Sequence, residues 1–571
     1  MENRRLFLIV ALGLTLILLW QAWISDQRPD PAITEQQASQ ESVVTHDDLP
    51  QRTDILADDD RPQVRSSDTP VGETSGVKAS GLIEVKTDVF SILIDPLGGV
   101  IRQVDLLDYP VDLDQPDKPT RLLEERPGYT YIAQSGLLGQ NESPAPDHHT
   151  QYRVDQTVFD MGDEDTLTVP LYWEEDGVHV TKTYTFTRGK YHVELTHHIE
   201  NNSDQPWSGQ QYRQITRSDT SRDSFLLYTY TGGVYAGDPI GSGDRLRYEK
   251  IDFKDMGRNP VSEQVTNGWV SVIQHYFMSA WIPSDVNQIN SLYSMQSQRS
   301  GFPVYTLGMI SPSVEVAPQQ ERELSSIFYV GPKVQSELAA LAEGLQLNVD
   351  YGIFTIIADP IFWLISLFHN WVGNWGWAIV LTTIAIKILF LWPSHISYRS
   401  MARMRAITPK LKALKDRYGE DRQRLSQEMM KLYQKEKINP LGGCLPILIQ
   451  IPVFISLYWV LVESVEFRQA PWVLWIQDLT QRDPYFILPV LMGLSMYIQQ
   501  KLNPAPIDPM QQKIFKWLPV VFILFFAFFP AGLVLYWFVN NLLSIAHQTY
   551  VTRRVEKQLA AQGKATAKAN K

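Results

Sequence analysis

The chain has 571 residues, 51 Lys and Arg against 63 Asp and Glu, a net charge of -12 and a single cysteine, Cys444. One cysteine excludes an intramolecular disulfide and a cysteine-based metal cluster, and a mean hydropathy of -0.17 excludes a chain embedded in a membrane throughout. Acids crowd the first two thirds (Asp58, Asp59, Asp60, Asp160, Asp163, Glu164, Asp165), whereas bases gather beside the C-terminal apolar runs. That asymmetry is a topology signal, not a nucleic-acid footprint.

Residues 6–24 form an apolar run behind Arg4 and Arg5, ending near Trp20 and Trp23. It is longer than the apolar region of a cleaved signal peptide and ends in bulky residues, which favours an uncleaved transmembrane anchor over residues 1–24. Residues 25–80 are polar, with few aromatics, and read as a disordered tether.

From residue 81 to 333 the pattern turns to period two. Thr183, Thr185 and Thr187 alternate with Tyr184 and Phe186; Gly189-Lys190 follows, then Tyr191-His192-Val193-Glu194-Leu195. This predicts a hairpin, and recurring turn signals such as Gly98-Gly99 and Asn201-Asn202-Ser203 predict a β-sandwich. His148-His149 and His197-His198 are candidate metal ligands. Neighbours on a strand point to opposite faces, however, and no third ligand is apparent, so no metal is expected.

Residues 334–372 read as a helical connector followed by an interfacial amphipathic helix over 361–372, too short to span. An extension of the next span is the alternative. Five apolar segments follow within 373–550: 375–393, 442–465, 485–499, 517–529 and 532–547. With the anchor they make six spans, so both termini share a side. Bases concentrate in 399–439, in 500–516 and in the basic tail 551–571, while the intervening loop 466–484 holds Arg468 and Arg482. The positive-inside rule puts the basic loops in the cytoplasm and the β-region outside the inner membrane.

Within 399–439, Met401, Met404, Ile407, Leu411, Leu414 and Tyr418 repeat at helical spacing, Gly419-Glu420-Asp421 makes a turn, and Leu425, Met429, Leu432 and Tyr433 repeat again. This predicts a cytoplasmic helical hairpin with an apolar seam and basic outer faces. Arg403, Arg405 and Lys410 could meet ribosomal RNA phosphates, and Met429 and Met430 offer adaptable apolar contact. A solvated hairpin obeying the positive-inside rule is the bland alternative.

Lys387 lies inside the segment 375–393. A charge at that depth costs about 2.5–3.5 kcal/mol on insertion scales, so a functional site is the default reading, with snorkelling to the cytoplasm as the alternative. Thr383 is one turn away and Thr382 is adjacent. Gln450, Ser456, Glu463, Ser464, Asn540, Asn541 and Ser544 add polar groups at membrane depth. They are expected either to line a wet cavity or to make ordinary interhelical hydrogen bonds. Cys444, beside Gly442 and Gly443, reads as a small packing residue. No Gly-x-Ser-x-Gly, His-Glu-x-x-His or phosphate-binding loop is present, so neither an enzyme nor a cofactor is expected. Two other classes stay open: a small-molecule secondary transporter using Lys387, and a structural anchor displaying the β-region.

Several runs carry a resemblance: Val372-Gly373-Asn374-Trp375-Gly376, Met401-Ala402-Arg403-Met404-Arg405, Pro409-Lys410, Gln427-Glu428-Met429-Met430, Asn439-Pro440-Leu441-Gly442-Gly443-Cys444, Asp508-Pro509-Met510-Gln511-Gln512-Lys513 and Gly532-Leu533-Val534-Leu535-Tyr536. The chain resembles the YidC/Oxa/Alb family of membrane insertases, in its Gram-negative form. The resemblance implies a polytopic α-helical membrane protein with six transmembrane helices, a five-helix insertase core plus the N-terminal anchor, and a large periplasmic all-β supersandwich domain. It implies insertion and folding of nascent inner-membrane proteins, alone or with the Sec translocon and its accessory subunits. Ribosomes, the signal recognition particle pathway and membrane lipids are further implied partners. Lys387, Thr383, Thr382, Gln450, Asn540 and Asn541 are then expected to form the substrate groove, and Phe454, Phe525, Tyr536 and Trp537 the apolar slide. Two positions depart from the family pattern. Lys387 stands where Arg is usual, and Trp537 where Tyr is usual.

Overall fold

The structure is a computed structural model that describes residues 81–219, 229–241, 243, 245–299, 301–419, 421–436, 445–504 and 509–569. The expected anchor and tether lie outside the described residues, as do Cys444 and the Asn439–Cys444 run.

Among the described residues, 83–332 contain eighteen strands joined in one continuous, nearly closed sheet. The predicted hairpin is present: Val178–Thr187 pairs antiparallel with His192–Asn201, Tyr184 opposite Leu195. Its first strand buries every second residue, as a sheet with one face on a core requires. The strand Trp207–Ser218 sits centrally, paired with Tyr129–Gly139, Phe302–Ile310 and Val314–Val316, and is buried along nearly its whole length. Trp207, Trp269 and Trp281 are fully buried. Each indole N–H donates to a backbone carbonyl, of Pro144 (2.8 Å), Glu343 (3.0 Å) and Gln214 (3.1 Å), so large apolar area is buried without an orphan donor. The Gly98-Gly99 turn holds both residues at positive φ, and a Cβ on Gly98 would meet the His148 backbone at 2.2 Å. Glycine is required there by conformation and by space.

A short helix, Gln335–Leu341, and a 3-10 turn, Leu345–Asn348, lead into the helical region. Its first long helix, α1 (Thr355–Val372), starts well before residue 361 and carries Pro360 in its second turn. The expectation of a segment too short to span is corrected. With the preceding turn, Gly352–Val372 is the helix long and apolar enough by itself to cross a membrane among the described residues. Gly373, at φ +66°, ends it, and Asn374 caps the next helix by accepting from the Trp377 N–H.

The expected span 375–393 is also corrected. It is two helices, α2 (Trp375–Leu389) and α3 (Leu391–Tyr418), meeting at a bend of 68°. α3 therefore runs without a break from the bend into the basic hairpin, completed by α4 (Arg422–Lys435) with Asp421 as N-cap. Then come α5 (Leu445–Glu463), α6 (Ile487–Leu502), α7 (Pro509–Phe526) and α8 (Ala531–Ala569). The tail 551–569 continues α8 as helix. The bent pair counts as a second crossing if taken as one span, so length and composition alone do not reach six spans among the described residues. The second core gathers Ala378, Ile379, Leu457, Leu461, Met492, Phe526 and Leu535.

Candidate functional site

A cavity of about 470 Å³ opens among the helices. α2 contributes Lys387, α3 Tyr398 and Met401, α5 Gln450 and Phe454, and α6 Met496, Gln499 and Gln500. α7 supplies Phe515, Leu518 and Phe522, and α8 supplies Trp537, Asn540, Asn541, Ser544 and Gln548.

Lys387 is half-buried in the last turn of α2, where the carbonyl ends of the helix favour a cation. The bend at Phe390 turns the chain away just beyond it. Among the described residues no carboxylate pairs with it; the ion pairs of this half of the chain are Lys333–Glu463, Lys410–Glu436 and Lys431–Glu428. Most of the polar lining comes from α8. The Asn541 amide donates to Ser495 Oγ (3.0 Å), Ser544 Oγ to the Asn540 backbone carbonyl (2.7 Å), and the Gln548 amide to Asn503 Oδ1 (2.8 Å). The bonds to Ser495 and Asn503 orient the Asn541 and Gln548 side chains. Gln450 donates to the Tyr536 hydroxyl.

Of the expected groove residues, Lys387, Gln450, Asn540 and Asn541 come together. Thr382 and Thr383 are buried and do not line the cavity; Thr383 Oγ1 donates back to Ile379 O (2.7 Å). Ser456 is buried away from it. Glu463 and Ser464 belong elsewhere, at the contact with the β-region, where Lys333 (3.4 Å) and the Tyr351 hydroxyl (2.8 Å) meet them.

Of the expected slide, Phe454 and Trp537 pair edge to face with centroids 4.6 Å apart and line the cavity. Tyr536 is buried beneath, and Phe525 points outward, 55% exposed, against Phe529. Phe522 lines the cavity in its stead. Phe515, Leu518 and Phe522 stand at i, i+3 and i+7, one helical face, and that spacing was readable in the sequence.

The loop after α5 packs on the start of α8. Buried Asp483 accepts from Trp475 Nε1 (2.9 Å) and from the backbone of Tyr485 (3.0 Å) and Leu488 (2.7 Å). The start of α8 is tied to this loop through Ala531 N to Gln481 O and Gly532 N to Leu479 O.

In the hairpin, Met429 joins the seam of Ile407 and Leu411, whereas Met430 is exposed. Arg405 is exposed and Arg403 is half-buried. Lys410 pairs with Glu436 at 2.7 Å. In the β-region, His148 and His149 lie in a turn with ring centroids 4.2 Å apart, so strand alternation does not apply to them. For His198 the expected lack of a third ligand is corrected. Glu200 (3.3 Å) and Glu321 (3.4 Å) flank it, and the three ligand atoms lie within 4.8 Å of one another. The sequence hid this because Glu321 arrives from a distant strand.

The YidC periplasmic domain family matches residues 82–364, and the 60Kd inner membrane protein family matches residues 367–558. The membrane protein insertase YidC of Thioalkalivibrio sulfidiphilus is 51% identical over 566 residues, covering 98% of this chain and 99% of that protein. The protein of the same name from Nitrosococcus oceani is 46% identical, covering 98% and 100%. A crystal structure described as active YidC insertase with the first transmembrane domain resolved matches at a TM-score of 0.39 and 17% identity, over 82% of this chain and 92% of that one. At these identities, over nearly the full length of both sequences, the chain belongs to the YidC membrane protein insertase family.

Proposed function

We propose that this protein inserts and folds inner-membrane proteins. The observation that carries the reading is the cavity itself. A lysine without a carboxylate partner among the described residues, several side-chain amides and a set of aromatic rings line one space. A short polar segment of a nascent chain can reside beside Lys387 at reduced desolvation cost, and an apolar helix can then leave along Phe454, Phe522 and Trp537 into lipid. That transfer is favoured by about 25 cal/mol per Å² of apolar surface buried. No nucleotide is needed for the step.

Further proposals follow from this reading. Six segments cross the membrane: the expected anchor, the bent pair α2–α3 taken as one, α5, α6, α7 and α8. α1, although long enough to span, lies in the interface, so both termini are cytoplasmic and the β-region, a supersandwich, is periplasmic. The shortness of α6 fits such a role. The 16 residues of α6 cover roughly 24 Å at a rise of ~1.5 Å per residue, less than the ~30 Å hydrocarbon core, and a short span thins the bilayer around it. The hairpin faces and the tail serve ribosomes and the signal recognition particle pathway, and the Sec translocon with its accessory subunits is a partner for some substrates.

The test is insertion of a single-spanning, Sec-independent protein in cells depleted of this chain and complemented with wild type, Lys387→Arg or Lys387→Ala. Rescue by wild type and Arg but not Ala is expected. Full rescue by Ala removes Lys387 from the mechanism. Failure of expressed wild type to rescue sinks the insertase reading.

A further inference from the structure

An exposed basic face lies on α8, beyond the cavity, formed by Ala546, Thr549, Tyr550, Arg553, Arg554 and Lys557. They recur at i, i+3, i+4, i+7, i+8 and i+11, one helical face. The opposite face of the same turns is occupied: Val551 and Val555 pack on Tyr398 and Ala402 of α3, and Gln548 is held by Asn503. The basic face therefore points away from the bundle. Tyr550 is 60% exposed, and Arg553, Arg554 and Lys557 are exposed. Among the described residues no carboxylate pairs with these three bases, although Glu556 stands on the same turn.

Depth identifies the occupant. α8 begins at Ala531, hydrogen-bonded to the loop after α5, which on the proposed topology is periplasmic. Twenty-two residues later, at a rise of ~1.5 Å each, Arg553 is about 33 Å along the axis. That is one hydrocarbon thickness, ~30 Å, which puts Arg553, Arg554 and Lys557 at the phosphate level of the cytoplasmic leaflet and Tyr550 at its aromatic belt. Leu542, 46% exposed, and exposed Ala546 continue the same face toward the bilayer centre, where an acyl chain would lie.

We propose that this face binds the phosphodiester headgroup of an anionic phospholipid. Two guanidiniums suit bidentate phosphate recognition, Lys557 adds charge, and the Tyr550 hydroxyl can donate to a phosphate oxygen. The proposal rests on the reading that α8 crosses the bilayer.

Purified full-length protein would be titrated with phosphatidylglycerol and with phosphatidylethanolamine, and bound lipid counted by native mass spectrometry. The wild type is expected to retain phosphatidylglycerol preferentially. Arg553→Gln/Arg554→Gln/Lys557→Gln is expected to lose that preference by about tenfold to 100-fold, since each base contributes roughly a factor of five near an anionic surface. Arg553→Lys/Arg554→Lys, which keeps the charge but loses the forked geometry, should retain a preference between those of the wild type and the triple variant, which guards against misfolding of the triple variant. Lys412→Gln/Lys415→Gln/Arg417→Gln, on the hairpin, should leave it intact. Equal retention of the two lipids by the wild type, or an unchanged preference in the triple variant, overturns the proposal. So does displacement of the bound lipid by millimolar inorganic phosphate, which marks a free-phosphate site. Loss of ribosome binding in the triple variant with lipid preference intact would assign the face to RNA and likewise overturn it. The crossing is read separately, by labelling Gln477→Cys and Ala561→Cys from opposite sides in a Cys444→Ala background. Labelling of both from one side removes the bilayer reading itself.

Discussion

Glu466 and His275 have their titrations moved in opposite directions by burial at the contact between the β-region and the helices. Burial pushes the Glu466 carboxyl up to about 7, against hydrogen bonds from backbone N–H groups that favour its charged form. His275 is pushed down to about 4, again chiefly by burial, while its Nε2–H donates to Val462 O at 2.8 Å. The signs follow from proton linkage. Folded Glu466 holds its proton more tightly than the unfolded chain does, so its stabilising effect is complete below about 4.5 and is lost as pH rises through about 7. Folded His275 holds its proton less tightly, so its contribution is present above about 6.5 and is lost as pH falls through about 4. Glu466→Gln is therefore expected to raise thermal stability at pH 8 relative to wild type, by up to about 3 kcal/mol, and to change it little at pH 4.5. Melting curves of the detergent-solubilised protein across pH 4–8 check this; an equal shift at every pH would mean that Glu466 does not titrate in this range. Neither group was singled out from the sequence. A Glu in a short loop after an apolar run reads as solvated, and its burial comes from Gln335 and neighbours more than 100 residues away. Lys387 was legible for the converse reason, since a charge within an apolar run conflicts with its own local surroundings.

At the level of elements, periodicity carried the hairpin and the β-strands, because local side-chain spacing decides which face is buried. It missed breaks. The bend between α2 and α3 falls at Phe390, whose neighbours are as apolar as the span itself, so nothing in a hydropathy run marks it; Pro393, read as the end of the span, lies inside the first turn of α3. The start of α1 was missed because Pro360 looked like a helix start, whereas it lies in the second turn of a helix that begins at Thr355 and forgoes the i→i−4 bond to Ile356 O. The hairpin itself is held by a small seam. Ile407 and Leu411 are buried against Met404, Met429, Leu432 and Tyr433, and the exposed Lys410–Glu436 pair adds at most about 1 kcal/mol. Leu411→Ala is expected to cost about 2–5 kcal/mol locally. Because Tyr398 and Ala402 clamp the base of α3 on α8 through a separate cluster, the opening should be confined to the hairpin. Limited trypsinolysis should then cut within 412–435 at least tenfold faster, with the melting temperature of the rest unchanged. Global unfolding in that variant would show that the two clusters are one cooperative unit.

Across the whole molecule, the β-region and the helical region are joined by buried polar contacts as well as by the ordered connector through Gln335–Leu341 and Leu345–Asn348. Lys333, at the end of the strand Gln320–Pro332, is buried and bonded to Asn348 O (3.2 Å) and Glu463 (3.4 Å). Gln335 reaches the Tyr351 hydroxyl, which meets Ser464. On the far side of the contact, Arg468 and Gln469 donate to Pro110 O at 2.6 and 3.0 Å. Glu463 and Ser464 looked like cavity residues because sequence shows their membrane depth but not the partners that converge on them from residues 333–351. A buried ion pair of this kind is weak evidence for net stability, since desolvating two charges offsets most of their attraction. Breaking it is another matter. Lys333→Met leaves Glu463 buried without its cation and should destabilise the protein by about 3–5 kcal/mol, whereas Lys333→Met/Glu463→Leu should recover most of that loss. A double-mutant cycle on thermal unfolding at pH 7.5 separates the outcomes. If the pair holds the two regions together by charge, the double variant stays as unstable as the single one. If its role is to exclude other docking geometries, the double variant regains stability, and insertion of a test substrate then reports whether the fixed geometry matters to the groove below.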